Sequence, residues 1–84
     1  MTEEKDTYTL DDLIPEATAL SDISPPARLS VFGDPVDHSL SPQLHNPALQ
    51  ALGIDARYIR VQVTERNFSE ALDLIRARGF LGTN

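Results

Sequence analysis

From residue 28 onward the spacing of apolar positions changes several times, and each change marks an element. Residues 28–32 (RLSVF) form a short β-favouring run closed by Gly33. Residues 57–63 (RYIRVQV) alternate, with Ile59, Val61 and Val63 on one face and Tyr58, Arg60 and Gln62 on the other. That pattern predicts a strand with one less buried side, near a sheet edge. Between the two, residues 41–52 read as a helix, with Ser41 as N-cap, Pro42 at the first helical position and Gly53 as the left-handed stop. Pro47 interrupts this helix, and predicts either a kink or a break in which Asn46 and Pro47 start a second helical segment. A second helix follows Asn67. Asn67 and Glu70 have the spacing of a capping box, Phe68, Ala71, Leu72 and Ile75 form an apolar stripe, Arg76 and Arg78 occupy the last turn, and Gly79 closes it. Phe80 and Leu81 then open a third strand.

The order β-α-β-α-β predicts an α/β fold with a mostly parallel sheet and right-handed crossovers. Open sheets of this kind collect ligands outside the carboxyl ends of their strands. The segment DPVDHSLSP (34–42) lies at that end of the first strand and LGTN (81–84) at that end of the third, so two polar segments converge on one edge.

Residues 1–27 follow a different pattern. They hold seven acids against Lys5 alone and account for the whole net charge of −6, whereas six acids face six arginines from Arg28 onward. Thr9 can cap a short helix with Leu10, Leu13 and Ile14 on one face and Pro15 at its end. Residues 19–27 (ALSDISPPA) have the Pro and Ser clustering of a linker, which places a domain boundary near Pro25 and Pro26. The expectation for 1–27 is thus a flexible or loosely docked acidic arm, and for 28–84 the folded part. As a docking segment the arm would cover part of a neighbouring domain; as a solvated tail it would do nothing.

Composition narrows the function classes. The chain has 84 residues, at most one small domain, and no cysteine, so neither disulfides nor thiolate metal sites support it and the cytoplasm is the expected compartment. The start MTEEKDTYTL is acidic where a secretory signal is basic, and no apolar run suffices to cross a bilayer. No basic stripe interleaved with aromatics suits nucleic acid or anionic lipid.

The chemistry concentrates in DPVDHSLSPQLHNP (34–47). A helix starting at Ser41 exposes unpaired amides, and the hydroxyls of Ser39 and Ser41 add two donors, a combination that suits a carboxylate or other small anion without any arginine. The same spacing also arises when Ser41 merely caps the helix and Ser39 is a turn residue. Asp34, Asp37, His38 and His45 do not have the spacing of a zinc site, and neither serine sits in a G-x-S-x-G elbow, so metal and serine-hydrolase chemistry are not expected. The two histidines read as structural hydrogen-bonding groups.

The run VFGDPVDHSLSPQLHNPALQALGIDARYIRVQV, followed by GFLGTN, resembles the opening of the substrate-binding domain of the shikimate dehydrogenase family, which includes quinate/shikimate dehydrogenases. The resemblance covers residues 28–84, two-thirds of the chain, and HSLSPQLHN is its most specific part. It implies that Ser39 and Ser41 hydrogen-bond the substrate carboxylate. It also implies an NADP-linked oxidoreductase that reduces 3-dehydroshikimate to shikimate on the route to chorismate and aromatic amino acids. Asn84 would open the family's N-V-T-x-P-x-K segment, so its catalytic lysine, the partner aspartate and the NADP-binding domain would lie beyond Asn84. The expectation is a partial substrate-binding domain, inactive by itself. The alternatives are a stand-alone anion-binding or regulatory module and a nonfunctional remnant. Gly33, Gly53, Gly79 and Gly82 form no G-x-G-x-x-G.

Overall fold

The structure, a computed structural model, describes residues 7–83. The acidic start at 1–6 and Asn84 lie outside the described residues. Four parallel strands form one sheet: β1 (Thr7–Thr9), β2 (Ala27–Gly33), β3 (Arg57–Gln62) and β4 (Gly82–Thr83), in the spatial order β1-β3-β2-β4. Two helices cross between them, α1 (Ser41–Ala51) and α2 (Phe68–Ala77). The expected α/β class and parallel sheet are present, with one strand more than the expected β-α-β-α-β order.

That additional strand comes from the arm. Thr7, Tyr8 and Thr9 pair with Arg60, Val61 and Gln62, and Tyr8, Leu13 and Leu20 are buried in the same cluster as Ile59, Val61, Ala71 and Ile75. Tyr8, Leu13 and Leu20 therefore dock this segment on the sheet, while residues such as Thr9, Asp11, Glu16 and Asp22 stay exposed: three large apolar side chains at irregular spacing carry no periodic signal, yet burying each stabilises by about 1.5–3 kcal/mol. The helix expected after Thr9 is a single 3-10 turn, Leu10–Leu13, with the Asp12 carboxylate accepting the Thr9 N–H at 2.9 Å.

The Arg78 guanidinium fastens this segment. Nε donates to the Leu13 carbonyl at 2.8 Å, and Nη2 donates to the carbonyls of Ile14 at 2.6 Å and Ala17 at 3.0 Å. The Ile14 carbonyl also accepts the Ala17 N–H at 3.0 Å, and the forked cation adds a donor to each of the three carbonyls. Arg78→Met should lower stability by about 2 kcal/mol and speed amide exchange in β1, measured by urea unfolding and hydrogen exchange; unchanged β1 protection would contradict this role.

β3 corrects a second expectation. It lies between β1 and β2, and most of its supposedly wetter face is also covered: Tyr58 and Arg60 are buried, though slightly less than the fully buried Ile59 and Val61, and Gln62 alone is exposed. The reason is that α1 packs on the Tyr58/Arg60 face, while α2 supplies Ala71 and Ile75 to the Ile59/Val61 face. Helices on opposite faces follow from right-handed crossovers in which the β2-to-β3 and β3-to-β4 connections run in opposite directions across the sheet.

Helix boundaries differ from expectation by small steps. Leu40, not Ser41, is the N-cap of α1, so Ser41 and Pro42 are its first two residues. The helix is assigned continuously through Pro47, and Gly53 follows with φ +71°. Asn67 is the N-cap residue of α2, as expected, but its side chain makes no capping hydrogen bond and no capping box with Glu70 forms. A 3-10 turn (Glu65–Asn67) precedes the helix, and the Thr64 hydroxyl accepts the Asn67 N–H at 3.3 Å. In the predicted α2 stripe, Ala71 and Ile75 are buried and Leu72 is half-buried, but Phe68 is exposed and meets Phe32 edge-on at 5.9 Å. The third strand starts at Gly82, one residue after Leu81.

Candidate functional site

The chain leaves β2 at Gly33 toward α1 and leaves β3 toward α2, on opposite faces of the sheet. The carboxyl ends of these two neighbouring strands are therefore the topological switch point, where a crevice opens because the two loops diverge. A shallow hollow of about 350 Å³ lies there, lined by Phe32, Gly33, Val63, Thr64, Glu65 and Phe68.

The loop from β2 to α1 carries the serines. Val36 is buried and anchors it, and the Val36 carbonyl accepts the Ser39 N–H at 3.0 Å in a tight turn. This turn brings the hydroxyls of Ser39 and Ser41 to 3.3 Å from each other, both half-buried. Ser39 Oγ also accepts the Ser41 N–H at 3.3 Å. Ser41 is thus not occupied as a cap, and the two hydroxyls form one small polar cluster on the opening turn of an eleven-residue helix. Hydroxyl protons rotate to suit a partner, so the pair can turn toward an incoming acceptor.

Arg60 is the residue the sequence reading missed. That reading expected an anion site without arginine, yet the Arg60 guanidinium lies directly behind the turn and donates from Nε to the Ser39 carbonyl at 2.8 Å. Its Nη2 donates to Gln43 Oε1 at 2.8 Å and its Nη1 to Thr7 Oγ1 at 3.2 Å. Arg60 joins the serine turn, α1 and β1 from one strand position. The available signal was a cation placed between Ile59 and Val61, which alternation alone assigns to solvent.

The histidine and asparagine of the SPQLHN segment face β3. The His45 ring stacks on Tyr58, centroids 4.8 Å apart and 17° from parallel. Asn46 Oδ1 accepts the Tyr58 N–H at 2.7 Å and Asn46 Nδ2 donates to the Tyr58 carbonyl at 3.0 Å. His38 is exposed. Among the described residues no group of three or more His, Cys, Asp or Glu side chains could hold a metal ion.

At the other polar segment, Ser30 is fully buried in β2 and donates to Thr83 Oγ1 at 2.8 Å, tying β4 to the sheet beside the site. A family model described as the shikimate dehydrogenase substrate binding domain matches residues 31–84, which include the serine turn, α1, β3 and β4.

The chain belongs to this family.

Curated relatives agree with it. The chain is 50% identical over 54 residues to the shikimate dehydrogenase (NADP(+)) of Methanosarcina mazei, covering 64% of this chain and 19% of that protein. It is 43% identical over 54 residues to the Bacillus subtilis shikimate dehydrogenase (NADP(+)), again 64% and 19%. With that of Desulfitobacterium hafniense it shares 44% over 57 residues, 68% of this chain and 21% of the relative. The chain thus spans about a fifth of the length of these relatives. No solved structure matches it. Within the shikimate dehydrogenase substrate-binding domain, the matched stretch contains every residue of the serine cluster and of the Asn46 clamp, while β1 and the 3-10 turn precede it.

The relatives' printed names include NADP(+). Among these 84 residues Gly33, Gly53, Gly79 and Gly82 form no glycine-rich G-x-G-x-x-G turn. No helix among the described residues is long and apolar enough to cross a membrane.

Proposed function

We infer that this segment supplies the carboxylate grip of a cytoplasmic NADP-dependent shikimate dehydrogenase, which reduces 3-dehydroshikimate to shikimate in chorismate and aromatic amino acid biosynthesis. Ser39 and Ser41 donate their hydroxyls to the substrate carboxylate. The reading is supported chiefly by the 3.3 Å pairing of two half-buried hydroxyls on the opening turn of α1, at the carboxyl end of β2, inside the matched family segment. Partial positive charge at the helix start favours an anion there, and the rotatable hydroxyls give it direction. NADP is held by a further, C-terminal domain of the complete enzyme, as is the group that moves the proton at the oxidised hydroxyl.

The binding step needs only these residues. The carboxylate replaces the Ser39 to Ser41 hydroxyl contact with two charge-assisted hydrogen bonds, which are shorter and stronger than the neutral one. Holding the acid group at one end orients the ring so that its reacting carbon faces the cofactor side. Ser39→Ala and Ser41→Ala, made separately in the complete enzyme, should each raise KM for shikimate about ten- to hundredfold, equivalent to about 1.5–3 kcal/mol per lost hydrogen bond to a charged group. Steady-state kinetics checks this, and unchanged KM in both variants would reject the reading.

A further inference from the structure

Among the described residues the buried Arg60 cation meets no counter-ion. It is 7% exposed, and each of its hydrogen-bond acceptors is neutral: the Ser39 carbonyl, Gln43 Oε1 and Thr7 Oγ1. Among the described residues no carboxylate contacts it. Three of the five guanidinium N–H groups are engaged, and the charge itself stays uncompensated. An isolated buried charge is costly, and proteins retain one where a counter-charge arrives later or a geometry depends on it. Both conditions meet here. Arg60 grips the main chain of Ser39, and Gln43, which it also grips, lies on the first turns of the helix whose first residue is Ser41.

We propose that Arg60 is a positioning and specificity residue of the serine site, locking the Ser39 turn onto α1 and supplying the buried positive charge that makes the site prefer a carboxylate to a neutral ligand. The proposal rests on the assignment of Ser39 and Ser41 as carboxylate ligands. A guanidinium one residue's breadth behind the hydroxyls acts through low-dielectric protein rather than water, so its attraction for the incoming anion is weakly screened. The hydroxyls confer direction and Arg60 confers charge selectivity. A serine pair at a helix start already prefers an acid to its ester, and Arg60 widens that preference.

The test compares shikimate with its methyl ester by titration calorimetry on the complete enzyme, in wild type, Arg60→Met, Arg60→Lys, Ser39→Ala and Ser41→Ala. Wild type should favour the acid, and Arg60→Met should shrink the acid-to-ester affinity ratio about tenfold. Arg60→Lys, which keeps the charge, should retain most of the ratio. Equal weakening of acid and ester in Arg60→Met would make Arg60 merely structural and overturn the proposal. Normal shikimate affinity in Ser39→Ala and in Ser41→Ala would instead remove the site assignment, and this inference with it. Should Arg60→Met fail to fold, Arg60→Gln, which keeps hydrogen-bond donors and removes the charge, takes its place and should shrink the ratio as well; an unchanged ratio in that variant overturns the proposal.

Discussion

Tyr8→Ala should cost about 3–5 kcal/mol, the range for removing a large aromatic from a packed core. Tyr8 is 2% exposed, pairs beside Val61 in β1, and belongs to the same cluster as Leu13, Leu20, Ile59 and Ile75. A domain of this size has little stability in reserve, so a loss of that order removes most of it. Far-ultraviolet circular dichroism during urea unfolding should show a transition shifted to much lower denaturant or no cooperative transition at all. A tail residue would leave the midpoint where it was. The same measurement on Asp11→Ala, at an exposed position in the 3-10 turn, should show a shift within about 0.5 kcal/mol.

Asn46→Leu should cost about 2–4 kcal/mol, although it replaces a polar side chain by an apolar one of similar size. The amides of Arg57 and Val63 bond the β2 side, to Pro26 and Gly33, so the groups of Tyr58 point to the opposite side of β3. There Asn46 meets both backbone groups of Tyr58 with one donor and one acceptor, as a neighbouring strand would. Leucine would leave a buried N–H and a buried carbonyl short of these partners, each at about 1–3 kcal/mol. Asn46→Asp keeps the acceptor and loses the donor, and should fall between the two. Thermal unfolding checks the order; equal stability of Asn46→Leu and the parent chain would show that Tyr58 finds other partners.

Legibility in the sequence followed the range of the interaction that each feature depends on. Gly53 and Gly79 were readable as helix stops, because φ values of +71° and +83° disfavour any side chain. The Ile59, Val61, Val63 face was readable because alternation survives translation into a sheet. The edge placement of β3 was misread, since β1 pairs along its outer edge and α1 covers its second face, and both come from elsewhere in the chain. The Asn67 N-cap was readable, but its capping box with Glu70 was not formed, because a hydroxyl three residues earlier, on Thr64, takes the Asn67 amide in a preceding 3-10 turn. The arm was misread for a different reason: acidic composition describes its solvent face, while its binding to the sheet depends on Tyr8, Leu13, Leu20 and the reach of Arg78.

By itself the sequence determined the α/β order, the parallel sheet and the density of polar groups in the 34–47 segment, since these depend on residue period and on residue type. Only the tertiary structure decided that the two serine hydroxyls meet, that Asn46 completes a strand edge, and that Arg60 is a buried cation behind Ser39 rather than a solvated one. The physical reason is that hydrogen bonding and burial are properties of neighbours in space, and the neighbours of Arg60 lie as far away along the chain as Thr7.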